Sequence, residues 1–161
     1  MKKILLFLSA ILISGCGFTP MYIGQDTDIY VTPISGINGI ELRNSLNVQF
    51  GGAHDENAKY KLDVKLSDPV TRYKALEQTG DAAWQEVSIS ATYKLTENVS
   101  GRVLTSGRES AAESYTFVQY LVASNASYNN AIKNTLNILS NKISTRAITE
   151  THSLVTNPKD K

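Results

Sequence analysis

From Val87 to Leu95 every second residue is apolar: Val87, Ile89, Ala91, Tyr93 and Leu95 alternate with Ser88, Ser90, Thr92 and Lys94. Side chains along an extended strand point to opposite faces in turn, so this run specifies a strand with one buried and one wet face. Tyr60, Leu62, Val64 and Leu66 repeat the pattern against Lys61, Asp63, Lys65 and Ser67, and Asp68-Pro69 stops it. A strand of this kind needs antiparallel neighbours and a second layer over its apolar side.

The candidate second layer is helical. Leu42, Leu46 and Phe50 recur at four-residue steps within Ile40 to Phe50, ahead of Gly51-Gly52. Ile132, Leu136, Leu139, Ile143 and Ala147 form a longer stripe, with Ser124 or Ser127 as the capping residue. A first short strand is expected at Ile29 to Ile34 and a fourth over Arg102 to about Tyr115, after a reversal at Asn98 to Gly101. Residues 70–83 read either as an extension of the second strand or as a loop, with its tip at Gly80-Asp81. The expected order is β-α-β-β-β-α. Its economical solution is an α+β two-layer sandwich, a four-stranded, mostly antiparallel sheet with both helices packed on one face.

The N-terminus is written in a different style. Met1, Lys2 and Lys3 lead into an apolar run, Ile4 to Ile13, broken only by Ser9. That run is too short for a permanent membrane span and has the layout of an export signal. Ile13-Ser14-Gly15-Cys16 fits a bacterial lipobox, in which two small residues admit the backbone to a protease and the thiol is then acylated. An ordinary signal peptide with a chance cysteine is the competing reading. Lipidation is favoured because Cys16 follows the apolar run directly and is the sole cysteine, with no disulfide partner. The chain then divides into a signal peptide at 1–15, a lipid-anchored tether at 16–27, the α+β domain at 28–149 and a flexible tail at 150–161.

Charge and motifs exclude several function classes. Sixteen basic residues against 15 acidic ones give no field for binding nucleic acid. No cluster has metal-ligand spacing, and no phosphate loop, GxSxG or HExxH is present, so neither a catalytic site, a metal nor a cofactor is expected beyond the covalent lipid on Cys16. Neutral polar residues are abundant instead. Residues 16–161 carry 14 Ser, 14 Thr, 12 Asn and 5 Gln. On the second helix Asn129, Asn130, Lys133, Asn134, Asn137, Asn141, Ser144 and Thr145 are expected to face outward. Such a surface suits a water-lined cavity, although an AT-rich genome would write the same residues.

Cys16-Gly17-Phe18-Thr19-Pro20-Met21-Tyr22, behind the lipobox, resembles the mature start of LptE-like lipopolysaccharide-assembly lipoproteins of the alphaproteobacterial type. Gly39 to Leu46, with Leu42-Arg43-Asn44, is similar to the opening of that branch's first helix, and the element order is similar over the whole mature chain. The resemblance implies a non-enzymatic outer-membrane lipoprotein on the periplasmic leaflet, held there by its lipid. Its implied partners are an LptD-like β-barrel, which it plugs and helps assemble, and lipopolysaccharide on its way to the cell surface. Gly17 after the lipidated cysteine is similar to lipoproteins released to the outer membrane. Topology nominates Arg72 and Lys74 for lipopolysaccharide contact, in the loop between the second and third strands, where their plainer reading is a pair of solvated charges. The alternative function is a lipid-anchored periplasmic ligand-binding or scaffold protein unrelated to lipopolysaccharide.

Overall fold

A computed structural model describes residues 27–76, 82–118 and 120–156. The elements are β1 (Ile29–Val31), α1 (Ile37–Gln49), β2 (Tyr60–Leu66), β3 (Val70–Leu76), β4 (Ala82–Glu97), β5 (Val103–Val118) and α2 (Leu121–Thr156). The fold is α+β with two helices on one face, as expected, but the sheet is open and mixed with five strands where four were expected.

β4 organises the sheet. One of its edges carries β5 along nearly its whole length, from Ala82↔Val118 to Thr96↔Val103, antiparallel. Its other edge is shared by two strands in succession: β2 pairs with Leu66↔Ala91 through Tyr60↔Glu97, and β3 with Val70↔Ser88 through Leu76↔Ala83. β2 and β3 therefore act as one broken strand. The break comes at residues 67–69, where Pro69 cannot donate to a ladder. Ser67 spans the gap by donating its N–H to the Ser90 carbonyl at 2.8 Å and accepting the Ser90 N–H at its hydroxyl, 3.0 Å. The segment read as extension or loop is thus the extension, counted as a strand of its own. β1 pairs with β2 in parallel through Ile29↔Tyr60 and Val31↔Leu62.

Alternation decides which face is covered. Val87, Ile89, Ala91, Tyr93 and Leu95 are all buried, together with Leu62 and Val64 of β2 and Ile29 and Val31 of β1. α1 brings Leu42 and Leu46 to this face, and Phe50 follows at its end. α2 brings Ile132, Leu136, Leu139, Ile143 and Ala147, the stripe expected from sequence. One core holds all of them. At 1.5 Å per residue the 36-residue α2 is about 54 Å long, and the 16-residue β4 at about 3.3 Å per residue nearly matches it. α2 thus matches the β4–β5 ladder in length, and its buried stripe packs against it.

Three expectations about the helices change. α1 starts at Ile37, three residues early, behind Gly36 at φ +82°, a value that suits glycine. α2 continues to Thr156, with Thr151 buried, so residues 150–156 are helix rather than tail; residues 157–161 lie outside the described chain. The polar face assigned to α2 also loses one member. Ser144 is buried, while Asn137 accepts from Ser45 Oγ at 3.4 Å and Asn141 from Gln49 Nε2 at 2.9 Å, joining α2 to α1. Both amides remain exposed as expected, and their bonds to α1 lie at the rim of the helix pair.

Candidate functional site

Among the described residues, two surfaces are left without a covering layer: the wet face of the sheet and the end of the molecule where β3, β4, β5 and α2 meet. On the wet face the even-numbered side chains of β4 lie beside those of β5, in the pairs Ser88↔Ala112, Ser90↔Ser110, Thr92↔Arg108 and Lys94↔Ser106. The surface is made of small hydroxyls with cations set among them. Arg108 donates to the Ser90 hydroxyl at 2.8 Å, which lays the guanidinium across the ladder. On β2, Lys61 and Asp63 lie on the same side, 3.8 Å apart.

The end of the molecule is different. Tyr73 on β3, Trp84 on β4, Phe117 on β5, and Tyr120, Leu121 and Val122 at the start of α2 are all exposed, Val122 at 83% and Tyr73 at 72%. The ladder pairs Tyr73↔Gln85, Trp84↔Thr116 and Ala83↔Phe117 bring these residues to one end. Strand ends and a helix start far apart in sequence thus gather an aromatic and aliphatic tip. Beneath it, Tyr115 donates to Gln85 Oε1 at 2.5 Å and meets the Tyr128 ring edge-on at 5.4 Å. Burial pushes the Tyr115 phenol above its usual pKa, opposed by a hydrogen bond with Thr71 and reinforced by Tyr128 and Tyr73.

Arg72 and Lys74 border this tip, but they sit on strand β3 and not in a loop. Arg72 is paired to β4, whereas Lys74 falls at the register shift between Tyr73↔Gln85 and Ala75↔Trp84; both side chains are exposed. Arg72 lies opposite Glu86, and Lys74 pairs with the same carboxylate at 2.9 Å, leaving one net positive charge among the three. The two cations therefore share a site with an acid that sequence alone did not connect to them. The aromatic residues beside them were missed as well. Each is one apolar residue at an element's end, and the signal to follow was that these ends exceed the reach of the buried stripes.

Cys16 lies outside the described residues. Among those described, no group of three or more His, Cys, Asp or Glu side chains could hold a metal ion, and no helix is long and apolar enough to cross a membrane.

No known family model matches the sequence, and no characterised protein matches it at the sequence level. Solved structures do match in fold. A candidate lipoprotein from Caulobacter crescentus CB15 superposes with a TM-score of 0.60 at 19% identity, covering 76% of this chain and 89% of its own. The rare lipoprotein B from Shewanella oneidensis gives a TM-score of 0.56 at 12% identity, with 80% and 98% covered. An uncharacterized lipoprotein B from Nitrosomonas europaea gives 0.55 at 14%, with 80% and 88% covered. What the chain shares with these bacterial lipoproteins is the fold.

Proposed function

We propose that the chain is a lipid-anchored envelope lipoprotein, attached through Cys16 to the periplasmic leaflet of the outer membrane. There it seats within an LptD-like β-barrel, assists the assembly of that barrel and supports delivery of lipopolysaccharide to the cell surface. The observation that carries this reading is the sheet face left uncovered by the described residues, a ladder about 50 Å long whose side chains are mainly Ser and Thr with interspersed Lys and Arg. A face this polar gains little from a further apolar layer, and it matches the water-lined interior of a large barrel, whose inward side chains are polar. The fold shared with rare lipoprotein B supports the same reading.

Lipopolysaccharide contact belongs to the tip. A phosphorylated glycolipid offers acyl chains to Trp84, Phe117 and Leu121 and phosphates to Arg72 and Lys74, with the guanidinium suited to two-point phosphate recognition. The test has two arms. The lipidated protein, extracted in detergent from its own envelope, should co-purify with a large outer-membrane β-barrel; recovery of the protein alone would sink the plug. Purified protein carrying Arg72→Glu and Lys74→Glu should lose lipopolysaccharide binding, and unchanged binding would remove the tip from consideration.

A further inference from the structure

β5 is the outermost strand on its side of the sheet, and β4 occupies one of its two edges. Two observations fix where its backbone groups point. Lys142 on α2 donates to the Ser110 carbonyl at 2.7 Å, so that carbonyl is turned away from β4. Ser90, the cross-strand partner of Ser110, directs both its N–H and its carbonyl to Ser67 on the opposite side. Ser90 and Ser110 are therefore a non-hydrogen-bonded pair, and the two-residue period extends the assignment. Ser106, Arg108, Ser110, Ala112, Ser114 and Thr116 all aim N–H and C=O outward from the sheet.

Among the described residues, the Ser110 carbonyl is the one outward group in this row with a hydrogen-bond partner. Sheets usually blunt such an edge with proline, short length, charge or a cover, because a free row of donors and acceptors is a template for another strand. β5 has 16 residues and no proline, and Arg108 is the only charged side chain in the outward row.

Charge indicates what the edge receives. On the helix-covered side, Glu109 faces Arg146 at 3.7 Å, whereas Glu113 has no cation beside it among the described residues. Glu113 lines a groove between β5 and α2 with Ser127, Asn130 and Asn134, where the side chains of an added strand would enter. A second copy of this chain paired β5 to β5 does not supply the missing cation from its own strand. When two β5 edges pair antiparallel, outward residues face outward residues, so the rows carrying Glu109 and Glu113 meet each other and hold no Lys or Arg.

We propose that the free edge of β5 is a strand-addition site for an extended segment of a different polypeptide, one that places a Lys or Arg opposite Glu113. Lys142 is the latch on this site: its bond to Ser110 occupies the edge until an incoming backbone N–H replaces it. Backbone bonds supply the affinity and the groove at Glu113 the choice of partner. This goes beyond the proposed function, since it requires neither a barrel nor lipopolysaccharide.

The experiment uses the full chain and a short fluorescent peptide of alternating Thr and Val with one central Lys, followed by anisotropy. The peptide binds, Lys142→Ala tightens binding a few-fold, and Ala112→Pro weakens it about tenfold or more, because an edge proline removes an outward N–H and leaves the β4 ladder intact. Glu113→Lys transfers preference to the same peptide with Glu in place of Lys. Peptide methylated on alternate amide nitrogens fails to bind wild type, which keeps the test decisive if Ala112→Pro does not fold. Ser114→Pro serves as a second variant. Binding indifferent to both prolines, or no binding to wild type and Lys142→Ala alike, overturns the proposal. A concentration-dependent dimer abolished by Ala112→Pro also overturns it, by assigning the edge to a second copy.

Discussion

The ring of Tyr93 lies across Gly107, its partner on the neighbouring strand, so closely that a Cβ on Gly107 would sit 2.9 Å from the phenol oxygen and 3.1 Å from the ring carbon bearing it. Glycine at this position is a packing requirement. Gly107→Ala gains backbone order in the unfolded state but forces a buried ring aside, for a net loss of about 1 kcal/mol. Thermal melts read this as a lowered Tm, and the loss should vanish in a Tyr93→Leu background. An unchanged melt with Tyr93 in place would contradict the contact.

Tyr93 and Tyr115 also set an alkaline limit. Both phenols are pushed above the usual tyrosine value chiefly by burial; Glu109 adds to the effect at Tyr93 and Arg146 opposes it. A raised folded-state value means that the native state holds the proton more tightly than the unfolded chain. Their contribution is therefore complete below the unfolded tyrosine value, about pH 10, and is lost as pH rises from there through the folded values. Melting between pH 9 and 11.5 should show an alkaline decline that is reduced in the double variant Tyr93→Phe, Tyr115→Phe.

Ser140 on α2 is buried at 1% exposure, and its hydroxyl has no hydrogen-bond partner among the described residues. Ser140→Ala removes a desolvated polar group without opening a large void, so stability should rise by about 1 kcal/mol. Denaturant melts would show it as a higher midpoint at constant slope; a fall would indicate a partner for the hydroxyl.

Arg72 and Lys74 should be dispensable for folding. In the Lys74–Glu86 pair the lysine is exposed and the glutamate half-buried, and surface pairs of this kind contribute about 0–1 kcal/mol. Arg72→Ala and Lys74→Ala should each melt within about 1 kcal/mol of wild type. A lipopolysaccharide defect in these variants would then report on binding, whereas a large drop in Tm would mean the cations hold the tip together.

How legible the chain was depended on what each element packs against. β4 and α2 announced themselves because each buries a full apolar row on one side. β3 did not, since Thr71, Arg72, Tyr73 and Lys74 are all exposed and backbone pairing alone makes it a strand. β5 read weakly because its covered row holds Gly107, Glu109, Ala111 and Glu113, small or polar residues that accommodate α2 at close range. Asn137 and Asn141 read correctly as exposed but not as partners of α1, because an amide that also bonds another helix has the composition of one satisfied by water alone. Arg72 and Lys74 could be nominated from topology, but the tip around them exists only where four elements end together.

The broken strand has a mechanical consequence. Near the β4–β5 turn the sheet is four strands wide, with β1 and β2 beside the ladder; past residues 67–69 it narrows to three. A plate that loses width also loses bending stiffness, so the chain is stiff at one end and compliant at the other, with the taper at Ser67 to Pro69. Amide exchange should follow that taper, slowest around Leu62 and Leu95 and faster by steps through β3. The aromatic tip is thus mounted on the springier end, able to yield to whatever shape it meets while the broad end keeps its form.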